Sequence, residues 1–227
     1  MKIGVCGLEV PRGKIKYSDE RLLKISEKFP EKKVSPYFFE FTDNFENVSV
    51  IAASKEGLLE LIIQDMEKLE KVRENSEPQQ KKILEKCLQL LESEKILCDE
   101  SFSEEEKKYL TNISPLTLKP VALIDEIDAP EDAIKKTIAK ANLGFFYTTA
   151  KKEIKVWLFK RGESIIECAS KIHTDLARGF IRAEVVNFKD FVNCHNLHEA
   201  KEKGFLKTVS KDYKVQDGDI IEILFHI

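Results

Sequence analysis

Gly7, Gly13 and Lys14 form the one stretch of this 227-residue sequence whose residue types suggest holding a phosphate. A phosphate loop, G-x-x-x-x-G-K-[ST], cradles phosphoryl oxygens with backbone amides, neutralises them with Lys and ligates Mg²⁺ through its hydroxyl. Here five residues separate Gly7 from Gly13, and one of them, Pro11, has no amide hydrogen to donate. Lys14 is followed by Ile15, which offers no oxygen to a metal. Such a loop must also open a helix whose N-terminal dipole holds the anion. Ile15-Lys16-Tyr17 instead runs directly into Ser18-Asp19-Glu20, itself a helix start, so no room remains for that helix. The stretch lacks the parts for handling a nucleoside triphosphate, and the chain reads first as a binding protein.

Two other groupings have the residue types for chemistry. Cys194-His195-Asn196-Leu197-His198 places a thiol and two imidazoles within five residues. On one helix His195 and His198 would share a face, but no second cluster completes a tetrahedron, so no metal site is expected. Cys194 and Cys168 lack a paired base to make either a nucleophile. His173-Thr174-Asp175 reads as a capped turn with a satisfied imidazole. Trp157, Phe159, Phe180 and Phe188 read as core in preference to a stacking platform. Lys155, Lys160, Arg161, Lys171, Arg178 and Arg182 are candidates for a phosphate-contacting patch on RNA, with a plain solvated face as the other reading.

Composition narrows the class. The chain is 42% hydrophobic and 34% charged, as in ordinary globular proteins. No apolar run approaches the ~20 residues of a membrane helix, and the opening residues read as a strand with no signal peptide. Five scattered cysteines with no CxxC pair fit reduced thiols, hence a cytoplasmic location. Residues 143–227 carry 14 Lys+Arg against 12 Asp+Glu, while the whole chain is at −3. That excess is too small to diagnose a nucleic-acid binder, but it makes this part the better place for an RNA contact.

The elements that must position these residues follow from periodicity. Residues 2–8 read as a buried strand. A helix opened by Ser18-Asp19-Glu20, with Leu22, Leu23, Ile25 and Phe29 as its apolar face, ends at Pro30. Residues 37–41 and 48–52 read as strands. Leu58, Leu59, Ile62, Met66, Leu69 and Val72, then Ile83, Leu84, Cys87, Leu88 and Leu91 after a break at 75–78, describe an antiparallel helical hairpin. Ser103 to Glu106 is a capping box. Residues 120–124 read as a strand, and Pro130 opens a helix stopped by Asn142-Leu143-Gly144. From Phe145 the texture is β-rich: 154–159 and 182–188 are strands, 164–172 and most of 191–203 helices, and 220–227 a closing strand after Asp217-Gly218-Asp219. A last strand that must pair in mid-sheet suggests a β-grasp-like α+β domain.

At two places the residues carry a family resemblance. The run Lys171-Ile172-His173-Thr174-Asp175-Leu176-Ala177-Arg178-Gly179-Phe180-Ile181-Arg182-Ala183-Glu184-Val185 and the run from Lys211 to Asp219 resemble the C-terminal TGS domain of the YchF-type Obg-like ATPases. The likeness is close to ungapped from about Asn142 onward. Upstream, Asp19-Glu20-Arg21-Leu22 with residues 36–43 is similar to the stretch between the family's switch regions, and residues 84–88, 103–108 and 116–121 to its helical hairpin and next strand. The resemblance implies α/β plus α+β architecture: a reduced P-loop-like α/β sheet (1–55 and 116–142), a helical hairpin or coiled-coil domain (56–115) and a β-grasp TGS domain (143–227). It also implies ATP binding and hydrolysis, ribosome association and a cytoplasmic location.

Departures from the family pattern shape the functional expectation. The D-x-x-G of its second switch corresponds to Asp43-Asn44-Phe45-Glu46, without the glycine whose amide meets the γ-phosphate. The N-x-x-E base-reading motif corresponds to Glu126-Ile127-Asp128-Ala129, and a Glu offers no amide donor to a purine edge. Residues 7–15 then look like the scar of a deletion that removed the phosphate-binding helix and the first switch. The leading expectation is a non-hydrolysing binding protein, without cofactor, whose TGS domain docks on RNA or the ribosome and whose hairpin can contact a protein. The alternative is a nucleotide-binding protein in which Gly7, Gly13, Lys14, Asp43 and Glu126 still hold ATP or GTP with Mg²⁺. A third reading is a regulatory module that binds a protein through the hairpin.

Overall fold

The computed structural model describes every residue except 18, 126–128, 151 and 227, and the side chain of residue 150. In chain order the elements are β1 (Lys2–Cys6), β2 (Gly13–Tyr17), α1 (Glu20–Glu27), β3 (Lys33–Ser35), β4 (Tyr37–Thr42), β5 (Ile51–Ala53), α2 (Lys55–Glu74), α3 (Pro78–Glu92), α4 (Glu104–Ile113), β6 (Val121–Leu123) and α5 (Pro130–Lys140). They continue with β7 (Leu143–Ala150), β8 (Glu153–Lys160), α6 (Ile165–Ile172), α7 (Thr174–Arg178), β9 (Phe180–Asn187), α8 (Phe188–Phe191), α9 (Leu197–Glu202), β10 (Lys207–Val209) and β11 (Asp219–Phe225). Two compact units result: 1–15 with 39–141, and 16–38 with 142–227.

The first unit is built on a sheet in the order β2-β4-β1-β5-β6, with β4, β1, β5 and β6 running parallel. Parallel strands must be covered on both faces, which explains the unbroken apolar runs Ile3 to Cys6 and Val50 to Ala53. α2 and α3 form the antiparallel hairpin that the spacing predicts, turning at residues 75–77. Leu58, Leu61, Ile62 and Leu69 of α2 meet Leu84, Cys87, Leu88 and Leu91 of α3 in one cluster with Ile51, Ala53 and Val121 of the sheet. Each fully buried leucine there is worth about 2 kcal/mol against exposure.

A buried carboxylate ties the hairpin to the chain after it. Asp65, 1% exposed, accepts hydrogen bonds from the backbone N–H of Leu116 (2.6 Å) and Thr117 (2.7 Å) and from the Thr117 hydroxyl (2.6 Å). Thr117 is itself fully buried, so this polar cluster lies inside an otherwise apolar layer.

The second unit carries a sheet in the order β10-β9-β11-β7-β8-β3. β7 and β8 form a hairpin, α6 crosses over, β9 follows, and β11 inserts between β9 (antiparallel) and β7 (parallel). Ala183, Val185, Phe146, Phe159 and Ile221 face α6, where Ile165 and Cys168 complete that core. Trp157 stacks on Phe146 at its margin, with ring centroids 6.3 Å apart.

Several boundaries differ from the sequence reading. Residues 13–17 and 33–35 are strands, too short and too lysine-rich to show an apolar pattern. Asp19 is the cap of α1, accepting from the Arg21 backbone N–H, and Leu23 is 52% exposed and so outside the apolar face assigned to it. The residue that leaves α5 in the left-handed region is Asn142 (φ 52°), whereas Gly144 lies in β7 against the Asp217 side chain. The stretch expected as mostly helix at 191–203 is two short helices broken at 192–196, so His195 lies outside α9 and shares no helical face with His198.

Candidate functional site

The parallel register of the first sheet sets its strand ends side by side. Gly7 follows the last residue of β1 and Asp43 the last residue of neighbouring β4, so both come to the edge where open α/β sheets hold their ligands. Gly7 has φ +67°, and a Cβ there would stand 2.4 Å from Ser54 Oγ, which caps α2. The loop of residues 8–12 does not open a helix: Gly13 (φ +101°) begins strand β2, in which Lys14 is exposed. A helix N-terminus, the source of the dipole and free amides that hold a phosphate, does not follow this loop.

The cation in the loop serves the loop. Arg12 grips Asp43 through Nε (2.8 and 2.9 Å) and Nη2 (2.8 Å), and its Nη1 donates to the Val10 carbonyl. The Arg12 hydrogen bonds hold the exposed Asp43 carboxyl below its usual range. Asp43, which the nucleotide-binding alternative assigns to ATP or GTP, is the ion-pair partner of Arg12. Glu126, with Ile127 and Asp128, lies outside the described residues.

The six basic residues proposed for RNA divide by their contacts. Arg161 binds Asp217 (2.9 Å) and the Leu143 carbonyl, Lys171 binds Glu163 (2.6 Å), and Lys155 sits 4.0 Å above the Trp157 ring. Lys160, Arg178 and Arg182 are exposed, and their side chains have no partner among the described residues. Strand alternation also separates them. Lys155 shares the face of Trp157 and Phe159, whereas Arg182 lies opposite to its neighbour Ala183, which faces the same core. No single patch contains all six.

Other candidate groups have structural duties. His173 caps α7, its Nδ1 accepting from the Asp175 N–H (3.2 Å) and lying 3.3 Å from the Asp175 carboxylate; the cap is His173 and not Thr174 or Asp175. Cys194 is buried, His198 pairs with Glu202 at 3.5 Å, and no cluster of metal-ligating residues occurs among the described residues. Burial pushes the Cys6 thiol, beside Glu60, up to about 11 and the Cys168 thiol up to about 12. Neither is a nucleophile at neutral pH.

What sequence reasoning missed is the role of the Asp217-Gly218-Asp219 turn. Asp217 accepts from the Phe145 N–H (2.8 Å) and bridges Arg21 (3.1 Å) and Arg161 (2.9 Å). Gly218, at φ +93°, exchanges backbone hydrogen bonds with Phe145 and Phe188; a Cβ there would be strained and would come 3.3 Å from Arg21 Nη1. Asp219, 1% exposed, accepts from Asn187 Nδ2 (3.0 Å), the Tyr213 hydroxyl (2.8 Å) and the Gln216 N–H (2.8 Å). Burial would raise the Asp19 carboxyl, but hydrogen bonds and charge from Arg21 outweigh it and lower it, while burial beside Asp19 raises the Tyr147 phenol that donates to it. Tyr213, Gln216 and Asp219, spaced three residues apart, were the available signal. The turn forms one wall of a cavity of about 490 Å³ within this unit.

A mostly parallel sheet with its loops gathered at one edge, encoded with a second sheet closed by a central strand, defines a two-unit mixed α/β protein. The chain is similar to proteins of the YchF family. Residues 143–226 match the family described as YchF-GTPase_C, Protein of unknown function (DUF933). The chain is 26% identical to "Ribosome-binding ATPase YchF" of Bacillus subtilis (strain 168), over 98% of this chain and 91% of that one. That alignment runs to 332 positions, more than a hundred beyond this chain's length, so the relative has residues opposite gaps here. The like-named protein of Escherichia coli O157:H7 is 29% identical over 64% of this chain, and the match spans only 55% of that protein. The structure of the Schizosaccharomyces pombe YchF GTPase superposes with a TM-score of 0.74 at 16% identity, covering 99% of this chain and 97% of that one, a likeness of fold.

Proposed function

We propose that this protein is a non-hydrolysing binding member of its family, whose second unit, read as a TGS β-grasp domain, docks on ribosomal RNA. The observation that carries this is the loop of residues 8–12: it runs into strand β2 and commits Arg12 to Asp43. Phosphoryl transfer needs a cradle, a metal ligand and charge stabilisation of the moving group, and this sheet edge supplies none of them among the described residues. By contrast residues 143–226, the C-terminal part of the second unit, match the family model from end to end. Relatives bear the name ribosome-binding ATPase, which favours the ribosome as the partner and, with it, a cytoplasmic location. No helix among the described residues is long and apolar enough to cross a membrane.

Arg178 and Arg182 are the phosphate-contacting residues of this reading, being exposed, four residues apart and unpaired among the described residues. Phosphate contacts release counterions, so binding must weaken with salt. Co-sedimentation with ribosomes is expected to fall steeply between 50 and 200 mM salt, two buffer conditions chosen to span the sensitive range, and to weaken in Arg178→Glu/Arg182→Glu. Binding indifferent to salt and to both substitutions overturns the RNA reading. Calorimetry with ATP or GTP and Mg²⁺ tests the rest: micromolar affinity would restore the nucleotide-binding alternative at Gly7, Gly13, Lys14 and Asp43. Capture of a protein through α2 and α3 without ribosomes would favour the regulatory module.

A further inference from the structure

The cavity beside the Asp217-Gly218-Asp219 turn is lined by residues of the second unit. At about 490 Å³ it is in the range of sites that hold a single small molecule. Its wall is fixed before any ligand arrives. Gly218 leaves 3.3 Å between the place of an absent Cβ and the Arg21 guanidinium, and Asp219 is buried under three donors. Arg21 and Arg161 are held on either side of Asp217, at 3.1 and 2.9 Å, so they present fixed positive charge without conformational freedom to lose.

Two further cations complete the lining. Lys189 and Lys207 are exposed, and neither ammonium has an ion-pair or hydrogen-bond partner among the described residues. Asp190 is the one lining carboxylate that is exposed; Asp217 is engaged by two arginines and Asp219 by its three donors. The unspent charge of the cavity is therefore positive. Phe188 and Phe205 line it as well, both half-buried, and neither ring pairs with another aromatic among the described residues. Sequence reasoning placed Phe188 in the core.

Mobile cations beside unpaired aromatic faces, over a rigid turn, suit a ligand with a planar ring at one end and an anion at the other. We propose that this cavity binds one phosphorylated nucleoside, its base against Phe188 or Phe205 and its phosphate on Lys189 and Lys207. The same chemistry comes from two sources, a free mononucleotide or an unpaired nucleotide of an RNA chain. The site does not depend on Arg178 or Arg182, so it stands or falls separately from ribosome docking.

The test is calorimetric titration of the full chain with each of the four ribonucleoside monophosphates, with a single-stranded RNA tetranucleotide and with inorganic phosphate. Saturable binding of a monophosphate identifies the free nucleotide as the source; binding of the tetranucleotide alone identifies RNA. In either case Lys189→Glu and Lys207→Glu, both solvent-exposed and so compatible with folding, are each expected to weaken binding by roughly tenfold or more. Phe205→Leu keeps apolar bulk, loses the ring face and is expected to weaken it as well. Lys14→Glu is expected to leave it unchanged, and Arg178→Glu/Arg182→Glu to leave monophosphate binding unchanged. The proposal is overturned if no probe binds at millimolar concentration, if inorganic phosphate binds as tightly as any nucleotide, or if affinity follows Lys14 in place of Lys189 and Lys207.

Discussion

Replacing Asp219 tests whether the turn holds the second unit together. Its carboxylate is 1% exposed and accepts three hydrogen bonds, from Asn187, Tyr213 and the Gln216 backbone. A hydrogen bond to a charged acceptor is worth about 1.5–3 kcal/mol, so three independent losses would sum to well above 4 kcal/mol. They are not independent, because Tyr213 and Gln216 border the cavity and water can reach them once the carboxylate is gone. We expect Asp219→Ala to cost about 3–4 kcal/mol, a large share of the roughly 5–15 kcal/mol that a folded chain has to lose. Asp219→Asn keeps one acceptor and turns its amide hydrogens toward a donor, so it should lie between Ala and wild type. Trp157, the single tryptophan, sits in β8 of the same unit and reports its unfolding by fluorescence. At a urea slope of about 2 kcal/mol per molar, the Ala midpoint should fall by about 1.5–2 M. A loss below about 1 kcal/mol would refute the idea that this turn is a structural hub.

Three further outcomes follow from the same contacts. Asp65→Asn, which sets an amide against the N–H groups of Leu116 and Thr117, should cost about 2 kcal/mol and speed hydrogen exchange at those two amides; unchanged exchange rates would show that the cluster does not carry the hairpin. Asp19 has its carboxyl lowered in the folded state, so its contribution is present above the unfolded carboxylate range and is lost as pH falls through the folded value. Urea midpoints measured from pH 5 downward should therefore fall more steeply for wild type than for Asp19→Asn, and parallel curves would contradict the Arg21 ion pair. Restoring loop chemistry with Pro11→Gly and Ile15→Ser should leave phosphate release from ATP at background, because Gly13 begins a strand; measurable turnover would mean that the cradle survives.

Much of the architecture was legible in the residues. The α2–α3 hairpin followed from apolar spacing alone, because two long amphipathic helices with a short polar break have one economical way to bury their stripes. The capping box at Ser103 marked the start of α4, since a hydroxyl and a carboxylate three residues apart satisfy two end amides at once. Departures from a phosphate-loop pattern were legible too: Pro11, Ile15 and the early start of α1 stand where such a loop would need an amide, a hydroxyl and a helix of its own. By contrast β2 and β3 left no trace, because edge strands of three to five residues with lysines on alternate positions resemble loops.

Side-chain destiny was decided only by the tertiary structure. Type and spacing made Asp43, Arg161 and Lys171 available for ligands, but whether a charge is free depends on what folding sets beside it. Arg12, Asp217 and Glu163 lie between 8 and 56 residues away from their partners in sequence. For the same reason the cavity is drawn from Arg21, the β9–α8 junction, β10 and the Asp217–Asp219 turn, four segments with no shared local pattern. Local composition could determine the elements and the departures from a phosphate-loop pattern, since both rest on neighbouring residues. The pairing of charges and the placing of a cavity rest on long-range contacts, which for the cavity exist only once β11 has inserted between β9 and β7.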